Sequence, residues 1–298
     1  MKYFIRVSYF LLPILLLVMH TQASAYYDRL ETVKKRTLLI LLPDREEAFI
    51  EDYQKLVPEA WTLTPVKVIS ARALPDYSSD TAQKYAYLTV GGERYERVDF
   101  STGQRKQSNT HLYLGLFMEV TKKGQPVRDL FRIELYPDME TLWDMGRDQA
   151  SANYRNFRLP HIMAYLRWMQ KNLEEDKRPK LYDEITDTKM LSQLRKETLF
   201  VPDSMIYTRN KFTGKEKLVE KEFFKAYKGK HQYATNAEMI EMLKTRDRSK
   251  PFFIFEYVLS STNKFVTVLE LNSGTIAYRR YQAMSYNLKS KDVERLLD

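Results

Sequence analysis

The chain has 298 residues, with 48 Lys and Arg against 39 Asp and Glu, a formal net charge of +9, and no cysteine. The missing cysteine excludes a disulfide framework, a thiol nucleophile and a cysteine-anchored lipid. The basic balance suits an anionic partner, though interspersed acids favour solvated turns and strand ends for the basic clusters, and an export signal argues against nucleic acid as the partner.

Taken in chain order, the first segment has the three parts of a secretory signal peptide. Lys2 and Arg6 precede an apolar stretch over 9–19, and Ala23-Ser24-Ala25 follows as a small-residue cleavage site. Pro13 interrupts the stretch, which is shorter than the roughly 20 apolar residues of a spanning helix. We therefore expect cleavage after residue 25, a periplasmic location, and a mature chain that does not span a membrane.

Residues 38–42 form a short apolar run read as a buried strand, followed by Asp44, expected to cap a helix with Glu47 completing a capping box. Phe49, Tyr53 and Leu56 line one face of that helix, which Pro58 helps to end. Strands are expected at 66–69 and 85–90, the second stopped by a turn at Gly91-Gly92. From Leu112 to Val120 both alternating sets are largely apolar, the pattern of a central strand. After a turn over 122–126, Phe131, Ile133 and Leu135 mark the return strand. A short helix opens at Pro137-Asp138 and closes at Gly146. Leu159, Ile162, Leu166, Met169 and Leu173 then step by three and four along a longer amphipathic helix, covered on two faces because Tyr165 and Trp168 lie elsewhere on it. The charged run 174–179 reads as a linker.

The segment 30–38 aligns with 191–199: each has an apolar lead-in, a basic pair and a short apolar strand that stops at Pro43 or Pro202. Phe49 and Tyr53 match Phe223 and Tyr227, each pair at helical spacing. An internal duplication is expected on these grounds. The second copy continues with an exposed, mobile loop over 208–217, a helix carrying Phe223, Phe224 and Tyr227, and a helix capped by Asn236. Strands at 251–259, 265–271 and 275–281, with a turn at Asn272-Ser273-Gly274, and a last helix capped by Ser290 complete it. The fold class read from this order is α/β (α+β): two related two-layer domains with mixed sheets, 26–178 and 179–298, helices mostly on one side of each.

Residues 265–278, with 235–239 ahead of them, resemble uncharacterised exported proteins of Bacteroides-type bacteria. The resemblance covers mainly the second half and implies the compartment, with no active site carried over.

No catalytic residue is picked out, and neither a metal site nor a cofactor is expected. His111, His161 and His231 stand in no two-ligand spacing, and no nucleophile motif is present. The candidate ligand site is the basic exit of the carboxy-terminal hairpin, Arg279 and Arg280 flanked by Tyr278, Tyr281 and Tyr286. Arginine forks hold anions bidentately, and the 21 tyrosines supply contact surface. The bland counterpart is pairing of these arginines with Glu256 or Glu270. The expected function is a non-catalytic envelope protein binding a protein or an anionic glycan. The alternative is a periplasmic hydrolase of glycan or peptide, with carboxylates from both halves.

Overall fold

The computed structural model describes residues 30–78, 84–99, 101–120, 126–143, 150–180, 182–210, 213–219, 221–285 and 287–297. The expected signal segment, the turn residues 122–125, Gly146 and Tyr286 lie outside them.

The apolar run of β1 (Thr37–Leu42) is buried on both faces, Leu38, Ile40 and Leu42 against the main core and Leu39 and Leu41 in a smaller cluster with Ile69, Tyr87 and Phe117 on the other side. β2 (Val66–Ser70) and β3 (Tyr85–Val98) pair with it in parallel, and β4 (Arg105–Val120) and β5 (Pro126–Glu134) follow as an antiparallel meander. The order is β2-β1-β3-β4-β5, which leaves β5 at an edge. Between β1 and β2 run α1 (Asp44–Glu47) and α2 (Ile50–Ala60), and α3 (Pro75–Ser78) precedes β3. Tyr53, Leu56, Val57 and Ala60 bury the inner side of α2.

Several local expectations change here. Asp44 does not cap: Pro43 holds the cap position, and the Asp44 carboxylate accepts from Arg72 Nε at 3.0 Å. Pro58 lies inside the last turn of α2, which runs two residues further. Gly91 and Gly92 continue β3 instead of turning it. A Cβ on Gly91 would stand 2.8 Å from the Tyr113 ring and 2.9 Å from Phe117, so the glycine makes room for two cross-strand aromatics.

After α4 (Met139–Trp143), α5 (Leu159–Glu174) starts with Pro160 in its first turn and buries ten side chains, the two-face coverage read from the sequence. The charged run behind it is exposed over 174–178. The second half opens with β6 (Ile185–Thr186) and α6 (Thr188–Leu194), then β7 (Thr198–Pro202) and the hairpin of β8 (Tyr207–Arg209) and β9 (Glu216–Leu218). β10 (Lys230–Ala234), α7 (Asn236–Thr245), β11 (Phe253–Ser260), β12 (Asn263–Glu270), β13 (Thr275–Ala283) and α8 (Ser290–Glu294) complete the chain.

Both helix caps fall one residue earlier than expected. Thr235 caps α7, its hydroxyl accepting from Glu238 N at 3.2 Å and Glu238 returning the bond in a full capping box. Lys289 precedes α8, with Asp292 in its first turn. Phe224 and Tyr227 bury against the sheet from a 3-10 turn, not from an α-helix. The segment expected to be a mobile loop is the β8–β9 hairpin, held down where Arg155 and Arg209 converge on Glu216 at 2.7 and 2.9 Å.

The second sheet has the order β10-β7-β11-β12-β13-β6. Setting aside the short β6, which adds antiparallel to β13 at the far edge, β7 is the first strand and lies between parallel β10 and β11, and β11, β12 and β13 form an antiparallel run. Directions and order thus match the first sheet. The helices do not: α2 joins the first and second strands of its sheet, whereas α7 joins the second and third of the other. The match is one of topology, and common descent of the halves stays a proposal.

The fold is α+β with two mixed sheets. One apolar cluster joins Leu38, Ile40, Leu88 and Leu114 of the first sheet to Ile254, Leu269 and Ile276 of the second, with Leu56, Leu166 and Ile240 of the helices between them. Each fully buried Leu or Ile contributes about 1.5–3 kcal/mol. The far face of the second sheet is covered too, by Leu191 and Leu194 of α6 and Val293 of α8. Helices therefore lie on both sides of that sheet, not mostly on one. The turn between β12 and β13 presses on α5: Gly274 has φ +65°, and a Cβ there would stand 2.4 Å from Trp168 N.

Candidate ligand-binding cleft

Edge strand β5 carries a bulge at its centre, because Leu116 pairs with Phe131 and the next residue, Phe117, with Asp129, leaving Leu130 as the extra residue. Around this bulge opens a cleft of about 690 Å³, lined by Asp129 to Arg132 of β5, Tyr95 and His111 of β3 and β4, Trp168 of α5, Arg178, Pro179, Lys180 and Tyr182 of the linker, and Arg279 of β13. It lies where both sheets, the central helix and the linker meet. Its lining holds Arg132, Arg178, Lys180 and Arg279 against the single acid Asp129.

Strand alternation puts Glu93, His111, Arg132 and Glu134 on one face, since His111 pairs with Glu93, Tyr113 with Glu134 and Gly115 with Arg132. Arg132 lies with its guanidinium 3.7 Å from the Tyr113 ring centre and donates to Glu93 at 2.9 Å. Burial works against the Arg132 charge, but the Glu93 bond and the Glu134 charge outweigh it and raise the pKa. Glu93 accepts a 2.5 Å bond from the Tyr95 hydroxyl, which lowers its own pKa against the effect of burial. Arg132 Nε stands 3.6 Å from Glu134 Oε1, and both atoms are buried without a hydrogen-bond partner.

Beneath this wall, Ser260 of β11 donates to Glu134, and His111 Nδ1 lies 3.4 Å from the Ser260 hydroxyl and 3.6 Å from Glu134. Serine, histidine and acid therefore meet across the two halves. They are not wired as a hydrolytic triad, which needs serine on one imidazole nitrogen and the acid on the other. Here both approach Nδ1, the serine proton already points at the carboxylate, and Ser260 is only 2 % exposed.

Arg279 enters from the other side. It pairs across the sheet with Thr267 and with Ile185 of the short β6, so beyond it β13 runs unpaired on that flank. Among the described residues no carboxylate lies within ion-pair distance of Arg279. Burial lowers its pKa while the more distant Glu256 and Asp183 oppose that; the guanidinium stays charged at any working pH. Glu256 is itself committed, accepting from the Tyr165 hydroxyl and from Asn156 Nδ2 at 3.1 Å. Glu270 is committed as well, to Phe252 N, Asn272 N and Ser273 N at 3.0, 2.9 and 2.8 Å.

The residues singled out in the sequence thus divide between two faces. Arg279 reaches the cleft, and Tyr281 on the same face supports it indirectly, 4.9 Å from the Tyr182 ring that lines it. Tyr278 and Arg280 point the other way: Tyr278 joins the far core, where burial raises its phenol pKa and the Arg280 hydrogen bond opposes the rise. The structure adds Tyr95, His111, Arg132, Trp168 and Tyr182, which no motif marked. The available signal was the alternation of Arg132 and Glu134 with Phe131 and Ile133 on a strand that otherwise reads as apolar. Among the described residues no cluster of three His, Asp or Glu side chains forms a metal site, and no helix is long and apolar enough to cross a membrane. No family model, no curated protein and no solved structure matches this chain.

Proposed function

We propose that this chain is an exported, non-catalytic envelope protein that binds an anionic partner in the cleft between its sheets. One observation carries the reading: Arg279 is a half-buried cation with no carboxylate within ion-pair distance among the described residues, and it faces a cleft whose lining is basic. Desolvating a charge costs several kcal/mol unless something opposite compensates it, and an incoming carboxylate, sulfate or phosphate does so. Signal peptide and periplasmic location belong to the same proposal, resting on Lys2, Arg6 and the Ala23-Ser24-Ala25 site.

A second reading, a hydrolase of glycan or peptide, is favoured by one contact, His111 beside Glu134 at the cleft wall. The burial of Ser260 and the geometry of the three groups weigh against it.

Retention of the purified protein on a polyanion matrix over a salt gradient tests the first reading. Retention that weakens with salt, and is lost in Arg279→Gln at unchanged melting temperature, is the expected outcome. Equal retention of the variant removes the cleft from the proposal. Turnover of a glycan or peptide panel that His111→Gln abolishes would transfer the case to the hydrolase.

A further inference from the structure

We infer that the ligand of this cleft is a glycan whose sugar rings carry carboxylates, with Arg279 holding the carboxylate and Tyr182 and Tyr95 receiving ring faces. The inference rests on the binding reading above and adds the class of ligand. Of the four exposed large apolar side chains in the described chain, Tyr95, Tyr182, Leu218 and Met284, the two aromatic ones line this same cleft. Tyr182 is 47 % exposed and Tyr95 59 %. Neither is a loose surface ring. Tyr182 is stacked on Phe265 at 6.0 Å and 22° and wedged against Tyr281, so the ring is held in place while nearly half of its surface stays open. Tyr95 is fixed by its hydroxyl on Glu93 and stands edge-on to His111 at 5.8 Å. Rigid aromatic faces offer area at little entropic cost, and the C–H side of a pyranose ring is the apolar surface that lies flat on them.

The polar atoms around these rings fit the rest of such a sugar. In the lining Lys180 is a donor and the Asp129 carboxylate an acceptor. A hydroxyl is donor and acceptor at once, so a polyol meets both where a bare anion meets only the first. The volume of about 690 Å³ falls in the range of roughly 300–1,000 Å³ typical of small-molecule sites, so it takes a short run of sugar units and not a protein surface. An acidic peptide would enter by pairing with the free edge of β5. The bulge at Leu130 breaks the regular ladder that such pairing requires.

Calorimetric titration of the purified protein with polygalacturonate and alginate, with methyl-esterified polygalacturonate, and with poly-L-glutamate tests the assignment. The free polyuronates are expected to bind and the esterified polymer and polyglutamate not to. Tyr182→Ala should weaken binding about tenfold, Tyr182→Phe should keep it, and Arg279→Gln should abolish it while Arg279→Lys restores part. Melting curves of each variant confirm that it is folded. If polyglutamate binds as tightly as the polyuronates and Tyr182→Ala changes nothing, the ligand is an acidic protein segment: the glycan inference falls and the anionic cleft stands. Equal binding of the esterified polymer overturns the role given to Arg279. If none of the polyanions binds, the inference and the reading beneath it both fall.

Discussion

Two cations on opposite faces of the second sheet, one buried and one half-buried, have opposite surroundings. Lys264 is 1 % exposed, and its ammonium is fully engaged, on Asp292 at 2.6 Å and on the Asn287 carbonyl at 3.4 Å. Asp292 in turn accepts Lys289 N at 2.8 Å, so the pair ties the last helix to the sheet. Arg279 lies on the other face, within reach of the cleft, with Glu256 and Glu270 bound to other groups. A closed pair spends its charge on the fold, whereas a cation left open beside a cavity keeps its charge for something that arrives. The comparison predicts that the first site governs stability and the second governs binding.

The largest effect belongs to the closed pair. Lys264→Met leaves the Asp292 carboxylate buried without a counter-ion, on the Lys289 amide alone, which should cost about 3–5 kcal/mol in urea unfolding, and adding Asp292→Leu should recover most of it. Recovery that fails would mean that the pair does more than neutralise itself. Binding by the folded fraction should be unaffected.

The next effect is a pH dependence from behind the cleft. His161 is fully buried on α5, and burial, opposed by the Glu256 charge, holds its pKa down to about 4 against an ordinary 6.5. The unfolded chain takes up that proton first as the pH falls. The stability this gives the native state is therefore full above pH 6.5 and is lost on acidification toward pH 4, by about 3 kcal/mol in total. Urea midpoints at pH 7.5, 5.5 and 4.5 check it, and His161→Gln should flatten that part of the curve.

A smaller cost attaches to the seam. Ser260→Ala removes a buried donor from Glu134 and should destabilise by about 1–2 kcal/mol. Smallest is Tyr182→Ala: with nearly half its surface already in solvent, it should change stability by less than about 0.5 kcal/mol while weakening ligand binding.

Much of the fold was legible because burial leaves a period. The double apolar alternation over Leu112 to Val120 marked β4 as central, and the stepping of Leu159, Ile162, Leu166, Met169 and Leu173 marked the helix shared by both sheets. Caps slipped by one residue, since Thr235 and Asn236 offer equivalent oxygens and only backbone geometry chooses between them. The glycine pair at 91–92 read as a turn because the reason for it, two aromatic rings arriving from the neighbouring strand, is not local. The cleft was the least visible part. It gathers Tyr95, Arg132, Tyr182 and Arg279 from four separate stretches, and only Arg279 had a local signature, a charged residue on a strand with no room to bury it. That signature could not separate Arg279 from Arg280, which the pleat sends to opposite faces.

That separation supplies the most direct measurement. Arg279→Gln and Arg280→Gln remove the same charge from adjacent positions of one strand, so they change net charge, ionic atmosphere and composition identically. Titrated with a polyuronate at fixed ionic strength, Arg279→Gln should lose binding and Arg280→Gln should match the unaltered protein, with both melting close to it. Equal losses in the two variants would show attraction to overall charge alone and contradict a cleft built around Arg279.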